Sequence, residues 1–180
     1  MEFRHNDFWM DLILSARESA FHLEVRDAYA EPEESEPLRR FLNGEPEPVN
    51  GYDKDDWIDL VEEMIGRGAT ISRVRVITVP HSDYQRWLLS VAGSSVAAGE
   101  DIRYLPRHRV DPQDVPSDDW WLLDCRQVAF NLVDHDGRPA GAALSTDPKI
   151  VGHCIDVKDQ LWQLATPYRE YTNGSTPEDR

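Results

Sequence analysis

Only two of the 180 residues are cysteine, Cys125 and Cys154, far apart and without a Cys-x-x-Cys partner. That excludes a disulfide-stapled scaffold and a thiol redox motif, and both read as buried small hydrophobes. Long apolar runs are missing as well. Nothing approaches the roughly eighteen residues of a membrane helix, and the opening MEFRHNDFWM lacks the basic-then-apolar order of a secretory signal, so the reading is a cytoplasmic chain with no membrane partner. Bases are scarce, with 19 Lys and Arg against 34 Asp and Glu and a net charge of -15. Because phosphate neutralisation supplies most non-specific nucleic-acid affinity, this balance excludes a general nucleic-acid binder. The signature motifs are lacking too: no Gly-x-Gly-x-x-Gly, no phosphate-loop Gly-Lys-Ser/Thr, no His-Glu-x-x-His, no Gly-x-Ser-x-Gly and no zinc-type Cys/His array. No cofactor and no metal ligand is assigned.

What is present suffices for one substantial core in one domain, since 40% of the chain is hydrophobic. The centre of organisation is Ile71 to Leu105. In ISRVRVITV, Val74, Val76 and Thr78 share one face of a period-two pattern and Arg73 and Arg75 the other, which predicts a strand entering a covered sheet. Pro80 stops it. Ser82-x-x-Gln85 is a capping box, so a helix starts near Asp83; Gly99 ends it, and Ile102 to Leu105 is a second strand. The whole is a strand-helix-strand crossover of an α/β fold.

Around it, Asn6 or Asp7 caps a first helix with Phe8, Trp9, Leu12, Ile13 and Ala16 at helical spacing. Phe21, Leu23 and Val25 alternate with His22, Glu24 and Arg26, a half-buried strand with one wet or lid-covered face on which His22 reads as exposed. Residues 31–56, rich in Pro, Glu and Gly, read as an acidic lid or excursion with one short helix that has Pro37 near its first turn and Gly44 at its end. Asp55 or Asp56 caps the next helix, whose core stripe is Trp57, Leu60, Val61, Met64 and Ile65. PRHRVDPQDVPSDD is a loop too polar to bury. Trp120 to Leu123, Gln127 to Val133 and Pro139 to Ser145 form an antiparallel meander around the turn Asp134-His135-Asp136-Gly137. Asp147-Pro148 opens a long helix with Ile150, Val151, Cys154, Val157, Leu161, Trp162 and Leu164 inside, ending near Pro167. The domain spans 1–172, and 173–180 is a flexible tail.

Charge is unevenly spread. From Glu31 to Glu63 there are twelve acids and three bases, whereas from Arg67 to Arg109 there are seven arginines and three acids. The acidic segment is therefore expected to lie over or beside the arginine-bearing one. The ligand-binding candidates lie at the turn PHSDYQRW, where His81, Asp83 and Arg86 stand at a helix start beyond a strand's carboxyl end, with Arg103 and Arg107 able to fork onto an anion. Ser82 and Asp83 are equally ordinary capping residues, and that structural role outweighs the ligand role.

PHSDYQRW, AGEDIRYLPR, DDWWLLD and FNLVDHDGRPAGAALSTDP resemble an actinobacterial domain family of unknown function whose genes often lie beside helix-turn-helix regulators. The strand order from Ile71 onward is similar to one half of the phospholipase D fold, which implies a mixed sheet with flanking helices. Those enzymes carry His-x-Lys-x4-Asp. If Asp124 matches the aspartate, and so joins the ligand-binding candidates, the histidine position holds Ser117 and the lysine position Asp119. Two of the three functional residues are replaced, and aspartate repels a phosphate.

Three readings follow. The first is a non-catalytic interaction or sensor domain modulating a separately encoded helix-turn-helix regulator, met through Glu33, Glu34 and Glu36. The second is a small-molecule or anion binder using the His81 turn. The third is a degenerate phosphodiesterase-like hydrolase working as a homodimer. Binding is preferred to catalysis, and no catalytic residue is assigned.

Overall fold

The computed structural model describes residues 1–4, 8–27, 32–45 and 54–174, and at 32, 33, 54 and 55 the backbone alone. Eight strands form one mixed sheet: β1 (Glu2–Arg4), β2 (Ser19–Glu24), β3 (Thr70–Ile77), β4 (Asp101–Pro106), β5 (Trp120–Leu123), β6 (Gln127–Val133), β7 (Pro139–Ser145) and β8 (Thr166–Pro167). Their order is β1-β7-β6-β5-β2-β3-β4-β8. The three strands β2, β3 and β4 are parallel, while β5 runs antiparallel to β2 and begins the β5-β6-β7 meander. The helices are α1 (Trp9–Ser15), α2 (Pro32–Leu42), α3 (Lys54–Gly66), α4 (Asp83–Ala98), α5 (Pro148–Leu164) and α6 (Tyr168–Gly174). A mixed α/β fold was expected and is what the chain adopts.

Strand parity decides which helix covers what. Phe21, Leu23, Val74, Val76, Leu105, Trp120 and Leu122 face α5, where Val151, Cys154, Val157 and Leu161 close the core. On the opposite face, Ala20, Ile71, Trp121, Leu123 and Ala129 pack under α1 and α3, and Ile77, Ile102 and Tyr104 under α4 and α6. The sheet is thus sandwiched; among the described helices α5 covers one side, with the loop residues Val110 and Val115 packed in the same core.

Local signals explain the elements. Ser82 Oγ accepts from Gln85 N at 3.2 Å, but Gln85 does not return the bond as a capping box requires; its Nε2 reaches the carbonyls of Arg26 and Asp27 at 3.5 and 3.3 Å. Gly99, at φ 115°, closes α4 in the left-handed region. Asp147 accepts from Lys149 N at 2.8 Å, starting α5 as expected.

Several expectations need correction. Pro32 starts α2 earlier than expected, which leaves Pro37 inside the helix, and α3 starts at Lys54, so Asp55 and Asp56 fall within its first turn. Ile65 and Leu164 are exposed where a core place was expected. Trp57 and Trp162 are only partly covered, whereas Trp87 is 3% exposed. Thr78 is past the strand end, and its amide and hydroxyl bond Asp27. Cys154 is buried, its thiol pushed up to about 11 by desolvation, but Cys125 is exposed at a turn with φ 51°. The short β1, β8 and α6 carry no period and were not expected. The proposed cap at Asn6 or Asp7, much of the lid, and the tail beyond Gly174 lie outside the described residues.

Candidate functional site

On the face away from α5, β3 presents Ile71, Arg73, Arg75 and Ile77 in turn, and β2 presents Ala20, His22 and Glu24. Parallel register sets His22 against Arg73 and Glu24 against Arg75, and Arg75 in turn against Tyr104 of β4. The middle of a sheet face that is apolar at both ends is therefore charged. Glu24 pairs with both Arg73 and Arg75. Arg73 Nε donates to Glu100 Oε1 at 2.8 Å, Trp57 Nε1 to Glu100 Oε2 at 3.2 Å, and Arg75 Nη1 to the Tyr104 hydroxyl at 3.4 Å. The Arg73 guanidinium also lies 5.3 Å from the Trp57 ring and 5.8 Å from that of Trp121, within cation–π range. His22 stacks on Trp121 at 4.2 Å and 11°.

Because α1 and α3 cover one end of this face and α4 the other, a cavity of about 560 Å³ remains over the network. Trp57 of α3 and Tyr84, Trp87 and Leu88 of α4 form its walls, Trp9 of α1 stands at one side, and Asn131 of β6 joins the floor. Glu34 of α2 closes the rim by accepting from the Tyr84 hydroxyl. Glu34, from the acidic segment expected to lie over or beside the arginine-bearing one, thus lines the same cavity as Arg73 and Arg75.

The electrostatics are those of a locked network. Burial pushes the Glu24 carboxyl up, but Arg73 and Arg75 outweigh it and hold the group well below 4.5. Burial opposes the charge on Arg73 and Arg75, and the facing carboxylates reverse this, raising both. Desolvation lowers His22 below 6.5, more than Glu24 raises it; Nδ1 is 3.3 Å from Glu24 Oε1 but not aligned as a hydrogen bond. A carboxylate held this far below neutrality is a poor general base.

The residues singled out from sequence do not gather here. His81 is buried, with Nδ1 3.2 Å from the Thr78 carbonyl and Nε2 2.9 Å from the Tyr171 hydroxyl. Asp83 and Arg86 pair with each other on the exposed start of α4. Arg103 faces the other side of the sheet, 3.8 Å over the Trp162 ring, and Arg107 Nη2 donates to the carbonyls of Val25 and Val76 at 2.5 and 3.2 Å. Asp124 accepts from the amides of Arg17, Glu18 and Ser19 at 2.8 to 3.0 Å. Asp119, placed in a loop expected to be too polar to bury, is fully buried and accepts from Val25 and Arg26 N at 2.7 and 3.2 Å. Ser117 donates to Asp118 at 2.8 Å. Of the acidic trio, Glu34 turns to the rim, Glu36 is exposed and paired with Arg39, and the Glu33 side chain lies outside the described residues.

Sequence reasoning missed Glu24, Arg73, Arg75, Glu100 and Asn131 as a site, and took His22, which is 7% exposed, for a surface residue. The signal was there in the alternation: His-x-Glu in one strand, preceded at the same parity by Ala20, and Arg-x-Arg in the next, flanked at the same parity by Ile71 and Ile77.

A family model described as a domain of unknown function, DUF6879, matches residues 7–173. The chain belongs to that family. The DUF6879 match takes in every cavity residue named above and, among the strands, leaves out only β1. No curated protein matches the chain. Among the described residues, no helix of this DUF6879 domain is long and apolar enough to cross a membrane.

Proposed function

We propose that this domain is a non-catalytic sensor, which takes a small molecule into the cavity over β2, β3 and β4 and passes its occupancy to a separately encoded helix-turn-helix regulator. The observation that carries the reading is the cavity itself: a half-open hollow of about 560 Å³, a size typical of ligand sites, with a polar, ion-paired floor and aromatic walls. Its ionised groups are committed to one another, which suits recognition better than proton transfer. The ligand place differs from the His81 turn that the sequence suggested. Phosphodiester chemistry has little support, because Asp119 and Asp124 spend their carboxylates on backbone amides.

The partner half of the reading rests on the net charge of -15, on the exposed acids Asp59, Glu62 and Glu63 of α3, and on the resemblance to domains encoded beside such regulators. A thermal-shift screen of the purified chain against a mixed metabolite library tests the ligand half. At least one compound should stabilise the wild type and lose its effect when Leu88→Trp fills the cavity. Co-expression with an adjacent helix-turn-helix protein tests the other half, and the absence of a complex at low salt, with and without ligand, would remove it.

A further inference from the structure

The hydrogen-bonding inventory of the cavity narrows what it can hold, given the reading of the cavity as a ligand site. Two guanidinium charges on Arg73 and Arg75 face two carboxylate charges on Glu24 and Glu100, so the floor is neutral as a unit, and the other two charged lining residues, Arg26 and Glu34, are of opposite sign. An ionic ligand seated on it would bring a charge with no counter-charge, and an uncompensated buried charge is strongly unfavourable. Each oxygen of Glu24 and of Glu100 already accepts from a donor of the network, so their acceptor capacity is partly spoken for. Donors are left over, because Arg73 and Arg75 bond through Nε and Nη1, and Nη2 of each has no hydrogen-bond partner among the described residues. On the other side of the floor, Asn131 Oδ1 is buried without a partner, an acceptor awaiting a donor. Above lie Trp87, Leu88, Val91 and Ala92 of α4, and Ile102 adds an apolar place to the floor. Such an apolar cover suits a ligand that has a flat apolar face of its own better than a polyol hydroxylated on every side, whose hydroxyls it would strip of water.

We infer that the cavity binds an uncharged planar heterocycle, with carbonyl or ring-nitrogen acceptors toward Arg73 and Arg75 and an N–H donor toward Asn131, of the size and kind of a nucleoside. Arginine donors and a side-chain carboxamide are the groups that read base edges elsewhere, and aromatic and apolar side chains hold the faces of a base.

The test is calorimetric titration of the full chain with guanosine, inosine and uridine, with their 5′-monophosphates, and with maltose as an uncharged polyol. At least one nucleoside should bind saturably, its monophosphate at least about tenfold more weakly, and maltose not at all. Asn131→Leu should weaken the nucleoside about tenfold or more, and Leu88→Trp should abolish binding, with both variants shown by circular dichroism to be folded. A monophosphate that binds as tightly as its nucleoside, preference for maltose, binding indifferent to Asn131→Leu, or no binding by any of the three nucleosides overturns the inference. The library screen separates this failure from that of the sensor reading. A charged acid or a sugar that stabilises the wild type but not Leu88→Trp leaves the sensor and removes the heterocycle, whereas no stabilising compound of any class removes both.

Discussion

Glu24 is one carboxylate answering two guanidiniums, so the molecule depends on it more than on any single surface charge. Glu24→Gln keeps the shape but leaves Arg73 and Arg75 short of counter-charge in a covered site; urea unfolding should show a loss of about 3–5 kcal/mol, and a loss near zero would mean that water or rearrangement replaces the pairs. His22 gives the pH dependence a sign. Its folded value lies below 6.5, so in the window beneath that value the unfolded chain binds a proton that the folded chain refuses, and stability is lost as pH falls. Glu24, depressed below 4.5, adds a second loss at lower pH, as its carboxylate is protonated. The urea midpoint should therefore drop between about pH 7.5 and 5.5, and His22→Phe, which retains the stack on Trp121, should flatten that drop. At this scale the sequence was half legible. Parity put Arg73 and Arg75 on one face and His22 and Glu24 on another, but not that the two faces are one: β2 and β3 are separated by two helices in the chain, and only their parallel register brings the charges together.

For elements, periodicity worked where an element is long enough to show a period and failed where it is not. The helices α1, α3, α4 and α5 and the meander could be read from their apolar spacing, and their caps at Ser82 and Asp147 from residue type. Three-residue β1 and two-residue β8 have no pattern to read, and α6 is held by the stacking of Tyr171 on Tyr104 at 5.0 Å, a tertiary contact invisible locally. Pro37 was expected near a helix start because a proline there removes no hydrogen bond; α2 instead bears it internally, with Pro32 in the starting place. Two substitutions measure how much α4 matters. Ser82→Ala should cost about 1 kcal/mol through the lost cap. Trp87→Ala should cost about 3–5 kcal/mol because that ring is buried, while Trp162→Ala should cost distinctly less because its ring is only partly covered. Equal losses for the two tryptophans in thermal or urea unfolding would contradict the burial difference.

Across the whole molecule, the charge asymmetry resolves into an inner and an outer part. Glu34 and the arginines of β3 line one cavity, while Glu36 of α2 and Asp59, Glu62 and Glu63 of α3 are exposed. If the proposed complex forms, association with a basic regulator surface should weaken with rising salt, and reversal of Glu36, Glu62 and Glu63 to lysine should weaken it further while leaving the unfolding free energy within about 0.5 kcal/mol of wild type. Binding that ignores both changes would place the contact elsewhere. The fold class was legible at this scale because it follows from the order of elements; the site was not, because it is made by strands that meet only after folding. The aspartates at the two ends of β5 bear on when that meeting occurs. Asp124 takes the amides entering β2, and Asp119 those leaving it. Both are made about a hundred residues after the strand they hold. As the chain leaves the ribosome, β2 can find β3 and β4 early but remains a sheet edge until Asp119 to Asp124 emerge. During that interval the cavity has half a floor, so the order of synthesis itself withholds the site until β5 and β6 have followed.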